Sequence, residues 1–354
     1  MVKLCKIFFS MACSLAIVCG FLSSGMAADV KKLFIVHSYE KDHICGQPQH
    51  DGAIKALNDA GWKQGENLEV ATYYMDTKKN NNTPELIAEQ ANLAMEEIAA
   101  FQPDVVLTLD DNAFRAVALP ASGTSTPYIF SGMNNQPENY DQQKEFMADR
   151  SIPGNNITGV YEKLYIREAI RVLSSLHEMN SVLFLGDMSP TGKAIQKQVE
   201  LELNEESNIP VPAVELRMMN SWEEFISTLA QFNDSTEFGA LYLGTLLLKD
   251  KKGRVYTAPE IINHTLLHAH KPTIGLNYAF IKLGLYGGAT VDFFSMGELA
   301  GKKAAAVLSG TEPGSLPIED APRVALVFNL KRAEQLGLKI PADILLAADE
   351  VFSK

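Results

Sequence analysis

The stretch PELIAEQANLAMEEIAAFQPDVVLTLDDN, residues 84–112, contains the pattern of one helix followed directly by one strand. It predicts an α-helix over Pro84–Phe101, because apolar residues recur there at alternating spacings of four and three, namely at Ile87, Ala91, Ala94, Ile98 and Phe101. Val105–Leu109 is a short apolar run that predicts a buried strand, after which Asp111 or Asn112 caps another helix. Helices that alternate with buried strands are the units of parallel sheets.

The same unit repeats on both sides of this stretch. Before it, Leu33–Val36 and Leu68–Tyr74 predict strands, with a helix at 49–60 between them. After it, Tyr128–Phe130 predicts a strand, and the polar segment 134–155 predicts a loop that crosses between domains. The alternation then restarts, with helices predicted at 162–176, 191–206, 221–232 and 259–270 and strands at 182–186, 211–216, 240–243 and 273–276. The sequence therefore predicts an α/β fold of two doubly wound parallel-sheet lobes.

The length and composition are those of a globular protein with two domains. The chain has 354 residues, of which 46% are hydrophobic and 21% charged, and its mean hydropathy of −0.03 argues against a polytopic membrane protein. The 43 acidic residues outnumber the 31 lysines and arginines, so the formal net charge is −12. Because binding to nucleic acid needs a basic face, we expect no nucleic-acid partner.

The N-terminus has the pattern of an export signal. Lys3 and Lys6 precede the apolar run Ile7–Leu22, which is too short for a stable membrane span. Gly25-Met26-Ala27 then offers small residues to a signal peptidase. The sequence predicts a Sec-type signal peptide over residues 1–27, cleaved after Ala27, and a periplasmic protein without a lipid anchor.

The motifs favour binding over catalysis. The chain has no G-x-S-x-G elbow, no phosphate loop ending in G-K-[ST], no H-E-x-x-H and no G-x-G-x-x-G after its first strand. We therefore expect no catalytic residue and no cofactor.

Four side chains keep a metal site open as a less favoured alternative. His37, His43 and His50 lie close in sequence to Cys45, which is the single cysteine left after removal of a signal peptide. Histidine nitrogen and cysteine sulfur are zinc ligands, and this group follows the first predicted strand, where a site in an α/β fold belongs. The simpler interpretation, a packed thiol among unrelated histidines, is preferred, and we expect no bound metal.

Four motifs resemble one family. They are PDVV with TPYIF at 103–106 and 126–130, GNNITGV at 154–160, GELAGK with LSGTEP at 297–302 and 308–313, and the tail NLKRAEQLGLKIP at 329–341. Together they are similar to motifs of the substrate-binding components of tryptophan/tyrosine-type ABC transporters. The resemblance implies a type I periplasmic-binding fold that closes about a hinge on a small polar molecule, with amino acids among the candidates.

The resemblance also implies a discontinuous layout and a partner. Residues 28–132 and 278–318 form the first lobe, residues 155–277 and 319–354 form the second, and 133–154 is a crossing segment, so that the hinge has three segments. The implied partner of this monomeric protein is an ABC permease in the inner membrane. Val36-His37-Ser38-Tyr39 is more similar to members linked to signalling kinases, so a sensing module outside the cytoplasm that feeds a sensor kinase remains an alternative.

Candidate ligand-binding residues follow from the geometry of parallel sheets. Ligands bind beyond the carboxyl ends of the strands, where helix N-termini present unpaired N–H groups. In the first lobe this rule selects Ser38, Tyr39, Asp110, Asn112, Ser131 and Asn134. In the second lobe it selects Asp187, Ser189, Thr191, Tyr242, Gly244, Asn277 and Tyr278. An aspartate suits an ammonium group, and the helix start Pro190-Thr191-Gly192 suits a carboxylate, so the set favours a small zwitterion.

Overall fold

The computed structural model describes residues 30–205, 213–244 and 247–353. The predicted signal peptide and the start of the predicted strand at 211–216 lie outside these residues. Within the described ranges, no helix is long and apolar enough to cross a membrane.

The first lobe is built on one sheet of six parallel strands. The strands are β1 (Lys31–His37), β2 (Leu68–Tyr74), β3 (Val105–Leu109), β4 (Tyr128–Met133), β5 (Ile157–Tyr161) and β13 (Glu319–Asp320). Their order across the sheet is β13-β5-β4-β3-β1-β2. The helices of this lobe are α1 (Gly46–Asp59), α2 (Pro84–Phe101), α3 (Asp111–Ala113), α4 (Pro137–Asp141) and α10 (Phe293–Leu308). Strands β3, β4 and β5 are buried along their whole length, as parallel strands are when helices cover both faces.

The second lobe contains a parallel sheet and a smaller mixed sheet. The parallel strands are β6 (Ser181–Asp187), β7 (Ala213–Met219), β8 (Phe238–Leu243) and β11 (Thr273–Gly275), in the order β11-β8-β6-β7. The mixed sheet consists of β12 (Gly287–Val291), β14 (Val324–Asn329) and β15 (Glu350–Phe352). It continues from the end of β11, because the Val291 N–H donates to the Leu276 carbonyl at 3.0 Å.

The remaining elements surround these two sheets. A hairpin is formed by β9 (Leu248–Lys249) and β10 (Val255–Tyr256). The helices are α5 (Ile166–Leu176), α6 (Pro190–Glu205), α7 (Trp222–Asp234), α8 (Ala258–His268), α9 (Tyr278–Lys282), α11 (Leu330–Gln335) and α12 (Ala342–Ala347). The alternation of helices and strands predicted from the sequence is thus present in both lobes.

Glycines bring helices α1 and α10 of the first lobe into backbone contact. A Cβ added at Gly297 would lie 2.0 Å from the Gln49 carbonyl oxygen, and one at Gly301 would lie 2.5 Å from that of Ala53. Such distances leave no room for any larger residue. The contact holds the first turns of α1 against α10.

Strand pairing corrects the predicted boundaries between the lobes. The sequence assigns residues 155–277 and 319–354 to the second lobe and predicts no strand at 157–161 or 319–320, but β5 pairs with β4 and β13 pairs with β5 in the first sheet. It predicts residues 278–292 in the first lobe, but β12 pairs with β14 of the second. The physical reason is that the apolar residues of β5 complete the first sheet. The chain therefore crosses between lobes after Tyr161, at Asp292 and at 321–323.

Two smaller differences concern helix starts. The predicted loop at 134–155 contains the short helix α4, which begins at Pro137, a residue that suits the first helical position. The helix predicted from 162 begins at Ile166 instead. The Glu202 carboxylate accepts the N–H groups of Leu164 at 2.9 Å and Ile166 at 2.7 Å, which holds the preceding residues as a crossing segment.

Candidate functional site

A cavity of about 280 Å³ lies between the two lobes. The first lobe contributes residues that follow β1, β2, β3, β4 and β5, and the first turn of α10. The second lobe contributes residues of α6, α8 and α9 and of the loop after β11. The lining includes Tyr39, Glu40, Asp42, His43, Ile44, Cys45, Lys78, Asp110, Asn134, Glu162, Thr191, Thr257, Ala258, Pro259, Leu276, Asn277, Phe280, Leu283 and Phe293. Since both lobes surround it, its shape depends on how far they close.

Asp110 has an unusual backbone and an incompletely bonded carboxyl group. It follows β3 with φ 67° and ψ 169°, a combination that residues other than glycine rarely adopt. Its side chain is 3% exposed. Oδ1 accepts a hydrogen bond from Gln49 Nε2 at 3.0 Å, whereas Oδ2 has no partner. Burial raises the pKa of Asp110 from 3.8 to about 7.

The neighbours of Asp110 hold its carboxyl group in place. Ser131 donates to Gln49 Oε1 at 2.7 Å, which orients the Gln49 amide so that its Nε2 faces Asp110. Gly132, with φ 87°, lies over the carboxyl group, and a Cβ there would be 3.2 Å from Asp110 Oδ1. These contacts involve Oδ1 and leave Oδ2 without a hydrogen-bond partner.

Asn134 and Glu162 form a second buried pair at the cavity. Asn134 Nδ2 donates to Glu162 Oε2 at 2.9 Å, and Asn134 Oδ1 has no partner. Burial, and after it the charges of Asp110 and Asp111, raise the pKa of Glu162 well above its ordinary value. Two buried acceptor atoms of lining residues, Asp110 Oδ2 and Asn134 Oδ1, therefore have no hydrogen-bond partner.

Apolar and aromatic groups form the rest of the wall. Tyr39 is buried, its ring lies 4.3 Å from that of His43, and Lys78 Nζ lies 5.5 Å from its centroid. Phe280 and Phe293 contribute aromatic surface from the second lobe and from α10. Such surfaces bind the apolar part of a small ligand.

The helices that begin at the cavity already have bonded N–H groups. At α6, Ser189 Oγ accepts from the Gly192 N–H at 3.1 Å, and the fully buried Asp187 accepts from the Ser189 N–H at 2.7 Å. At α8, Thr257 and Glu260 form a capping box. At α9 the Asn277 side chain accepts from the Phe280 N–H at 3.3 Å. The helix start at Pro190-Thr191-Gly192 is thus partly occupied by the side chains of the chain itself.

Five of the residues selected from the sequence line the cavity, namely Tyr39, Asp110, Asn134, Thr191 and Asn277. The others lie outside its lining, and the structure gives several of them a different place. Ser38 Oγ donates to the Leu109 carbonyl and accepts the Ala113 N–H, and Asn112 Nδ2 donates to Thr77. Ser131 reaches the site only through Gln49. Asp187 and Ser189 cap α6.

The last three selected residues lie in the second lobe away from the cavity. The Tyr242 ring stacks on Phe184 at 4.9 Å, and its hydroxyl is buried without a partner. Gly244 packs so closely on Phe184 that a Cβ would lie 2.8 Å from its Cζ. Tyr278 borders a separate surface depression that also contains Lys282 and Arg323.

Sequence reasoning did not select Gln49, Lys78, Glu162, Phe280 or Phe293. Glu162 directly follows β5, so the strand-end rule selects it once β5 is recognised as a strand of the first sheet. Gln49 lies in the first turns of α1, and no strand ends beside it in sequence. Only the fold brings it to Asp110.

The group of histidines near Cys45 has bonds of its own. His37 Nε2 lies 3.0 Å from His50 Nδ1, and Asn277 Nδ2 lies 3.6 Å from Cys45 Sγ. Burial and then the charge of His50 lower the pKa of His37 to about 3. In the part of the chain that the structure describes, no three or more His, Cys, Asp and Glu side chains are arranged to hold a metal ion. The metal-binding alternative therefore has no geometric support there.

Two α/β lobes, three crossings and a cavity between the lobes define a two-lobed ligand-binding protein with the type I periplasmic-binding fold. The family model described as ABC transporter substrate binding protein matches residues 42–352. The chain belongs to this family, which confirms the family and fold indicated by the four motifs.

Solved structures show the same fold. A conserved domain protein from Vibrio cholerae is 20% identical, with a TM-score of 0.70 over 91% of this chain and 100% of that chain. An ABC domain in complex with L-Trp from Streptococcus pneumonia is 19% identical, with a TM-score of 0.69 over 91% and 99%. A ligand-free, open substrate binding protein with adhesive properties from Clostridium difficile is 16% identical, with a TM-score of 0.66 over 92% and 100%. No curated protein sequence matches this chain.

Proposed function

We propose that the protein binds a small polar molecule in the cavity between its lobes and presents it to an ABC permease in the inner membrane. The observation that carries this proposal is the pair of unpartnered acceptors, Asp110 Oδ2 and Asn134 Oδ1, in an interlobe cavity. A buried polar atom without a partner costs about 1–3 kcal/mol. A ligand that donates to both atoms removes this cost.

Hinge closure is the proposed response to the ligand. The Sγ atom of Cys45 in the first lobe lies 3.6 Å from Nδ2 of Asn277 in the second, and both residues line the cavity. Only when the lobes are closed can a ligand contact both sides, so binding favours the closed state. Arg323, in the third crossing, pairs with Asp292 of the second crossing at 3.0 Å, which ties two hinge segments together.

Amino acids are the first ligand class to test. The Streptococcus protein of the same fold was solved with L-Trp, and the aromatic wall of this cavity suits an apolar side chain. The proposal includes export by the signal at residues 1–27 and a monomeric, non-catalytic protein in the periplasm. The exported, acidic chain would then meet its permease at the membrane surface.

A thermal-shift screen combined with small-angle scattering tests this function. Amino acids, amines, sugars, nucleosides and organic acids are added to the exported protein. A ligand at a hundred times its Kd adds about 2.7 kcal/mol of stability, which raises Tm by a few degrees. The same ligand should reduce the radius of gyration, and a ligand that raises Tm without any change in scattering would contradict closure.

A matched pair of variants locates the binding site. Asn134→Ala removes an unpartnered acceptor and should reduce the ligand-induced rise in Tm. Asn135→Ala changes a neighbour that is outside the cavity lining and should leave that rise unchanged. Equal effects of the two variants would place the ligand elsewhere.

A further inference from the structure

The charges around the cavity are unbalanced. Among the described residues that line it, the carboxyl groups of Glu40, Asp42, Asp110 and Glu162 face a single lysine, Lys78. Asp110 and Glu162 are 3% and 1% exposed, and burial raises the pKa of both, so a cation beside them would favour loss of their protons. A cavity with this excess of carboxyl groups favours a ligand with a positive charge.

Three fully buried polar atoms of the described lining residues lack a partner, and all three are acceptors. Asp110 Oδ2, Asn134 Oδ1 and Glu40 Oε2 are buried and have no partner. Asn134 Nδ2 donates to Glu162 Oε2 at 2.9 Å, so the Asn134 amide oxygen is the atom left without a partner. This oxygen is left for a donor, and an ammonium group carries up to three such donors on one nitrogen.

A carboxylate on the ligand has few groups to bind it. The Gly192 N–H at the start of α6 is bonded to Ser189, and the buried Asp187 adds a negative charge beside it. The starts of α8 and α9 are capped by Thr257 and Asn277. Lys78, the one lysine or arginine among the described lining residues, is close enough to the carboxyl groups of Asp110 and Glu162 to lower the pKa of both.

We infer that the ligand is a cationic amine without a carboxylate group, whose protonated nitrogen donates to Asp110 Oδ2 and Asn134 Oδ1. Tyr39, Phe280 and Phe293 cover its apolar part. An apolar cavity of about 150 Å³ can hold benzene. The 280 Å³ available here accommodates a ring with a short aminoalkyl chain. This inference rests on the proposed function, and it replaces the zwitterion that the sequence alone favours.

Matched probes separate the charge of a ligand from its shape. Each series keeps one apolar body and varies the charged groups: tryptamine, L-tryptophan and indole-3-propionate; phenethylamine, L-phenylalanine and 3-phenylpropionate; isoamylamine, L-leucine and 4-methylpentanoate. Titration calorimetry at pH 7.5 on the dialysed, exported protein gives the Kd of each. We expect the amine to bind about tenfold or more tightly than the amino acid of the same series, and the acid not to bind.

Two variants assign the charge effect to one carboxyl group. Asp110→Asn keeps the shape of the side chain, and asparagine tolerates a positive φ. It should weaken the amine about a hundredfold, because it removes one member of a buried, hydrogen-bonded charge pair. Asp59→Asn removes the same charge from an exposed residue of α1 outside the cavity lining and should change the Kd by less than about threefold. A purely structural role of Asp110 would weaken all three members of a series equally.

The outcomes distinguish this inference from the proposed function. If the amino acid or the acid binds as tightly as the amine in a series, the inference is overturned. It is also overturned if no amine binds while a compound of another class closes the lobes in scattering, a result that leaves the proposed function standing. If no compound of any class closes the lobes, both fail.

Discussion

Replacement of Asp110 by asparagine should stabilise the ligand-free protein, and more so at high pH. Burial raises the pKa of Asp110 from 3.8 to about 7. The folded protein therefore holds a proton that the unfolded chain has released between these two pH values. Above pH 7 the buried carboxylate is charged and destabilises the fold by up to about 4 kcal/mol.

The sign of the pH dependence follows from this shift. A raised pKa in the folded state means that the stability of the wild type is greatest below the unfolded value and is lost as the pH rises through 7. At pH 5 the cost of Asp110 is about 2 kcal/mol, and at pH 8 it is about 4 kcal/mol. The asparagine side chain of the variant does not titrate. The advantage of Asp110→Asn should therefore grow by about 2–3 kcal/mol from pH 5 to pH 8.

Urea unfolding of both proteins at the two pH values measures this difference. The pKa values of Glu162 and Asp111 are also raised, but these residues are present in both proteins. Comparing the pH dependence of stability between variant and wild type therefore removes the part of their contribution that does not depend on Asp110. Asp59→Asn, an exposed change on α1, serves as the control and should show no such dependence. If Asp110→Asn changes the free energy of unfolding equally at pH 5 and pH 8, the inference that the Asp110 carboxyl group is buried with a raised pKa is refuted.

Three further predictions concern other parts of the chain. Gly297→Ala should lower Tm, because the added Cβ would lie 2.0 Å from the Gln49 carbonyl oxygen and overpacking costs about 1–3 kcal/mol or more. The control Lys302→Ala, on the exposed side of α10, should change the free energy of unfolding by less than about 0.5 kcal/mol. Cys45 should react with iodoacetamide at pH 8 more slowly than the thiol of glutathione, because burial raises the pKa of Cys45 and the thiolate is the nucleophile. Mass spectrometry measures both rates, and equal rates would contradict this prediction. His37→Gln should reduce the loss of stability between pH 7 and pH 5 by about 2 kcal/mol. The pKa of about 3 keeps His37 neutral in the folded protein, while the histidine of the unfolded chain, with a pKa of 6.5, binds a proton. Urea unfolding measures the stability of both proteins, and an equal change between pH 7 and pH 5 would contradict this prediction.

The site could be predicted from the sequence where it depends on the ends of strands. Asp110 and Asn134 are selected because they follow β3 and β4, which are neighbours in the sheet, and both line the cavity. Their distance in sequence is large, but parallel strands end at the same edge. The same rule misses Glu162, because its strand is assigned to the wrong lobe.

Other features of the site have no signature in sequence. Whether a helix start is free for a ligand depends on its caps, and Ser189 and Asp187 could be interpreted either as ligand-binding or as capping residues. The structure shows their capping bonds at 3.1 and 2.7 Å. Gln49 reaches Asp110 because glycines let α1 and α10 meet, a contact between residues that are far apart in the chain. Long-range packing of this kind cannot be derived from local patterns.

The backbone and the carboxyl group of Asp110 both carry a free-energy cost in the ligand-free protein. Its φ of 67° and ψ of 169° belong to a region that costs of the order of 1–3 kcal/mol for a residue other than glycine. Its carboxyl group adds the cost of burial without a partner at Oδ2. Glycine would relieve the backbone cost and asparagine would remove the buried charge, so packing alone does not explain an aspartate here. In the proposed binding mode, a cation beside Oδ2 removes the electrostatic cost once the lobes have closed around it. The residue proposed to select the charge of the ligand would then also make closure depend on the ligand.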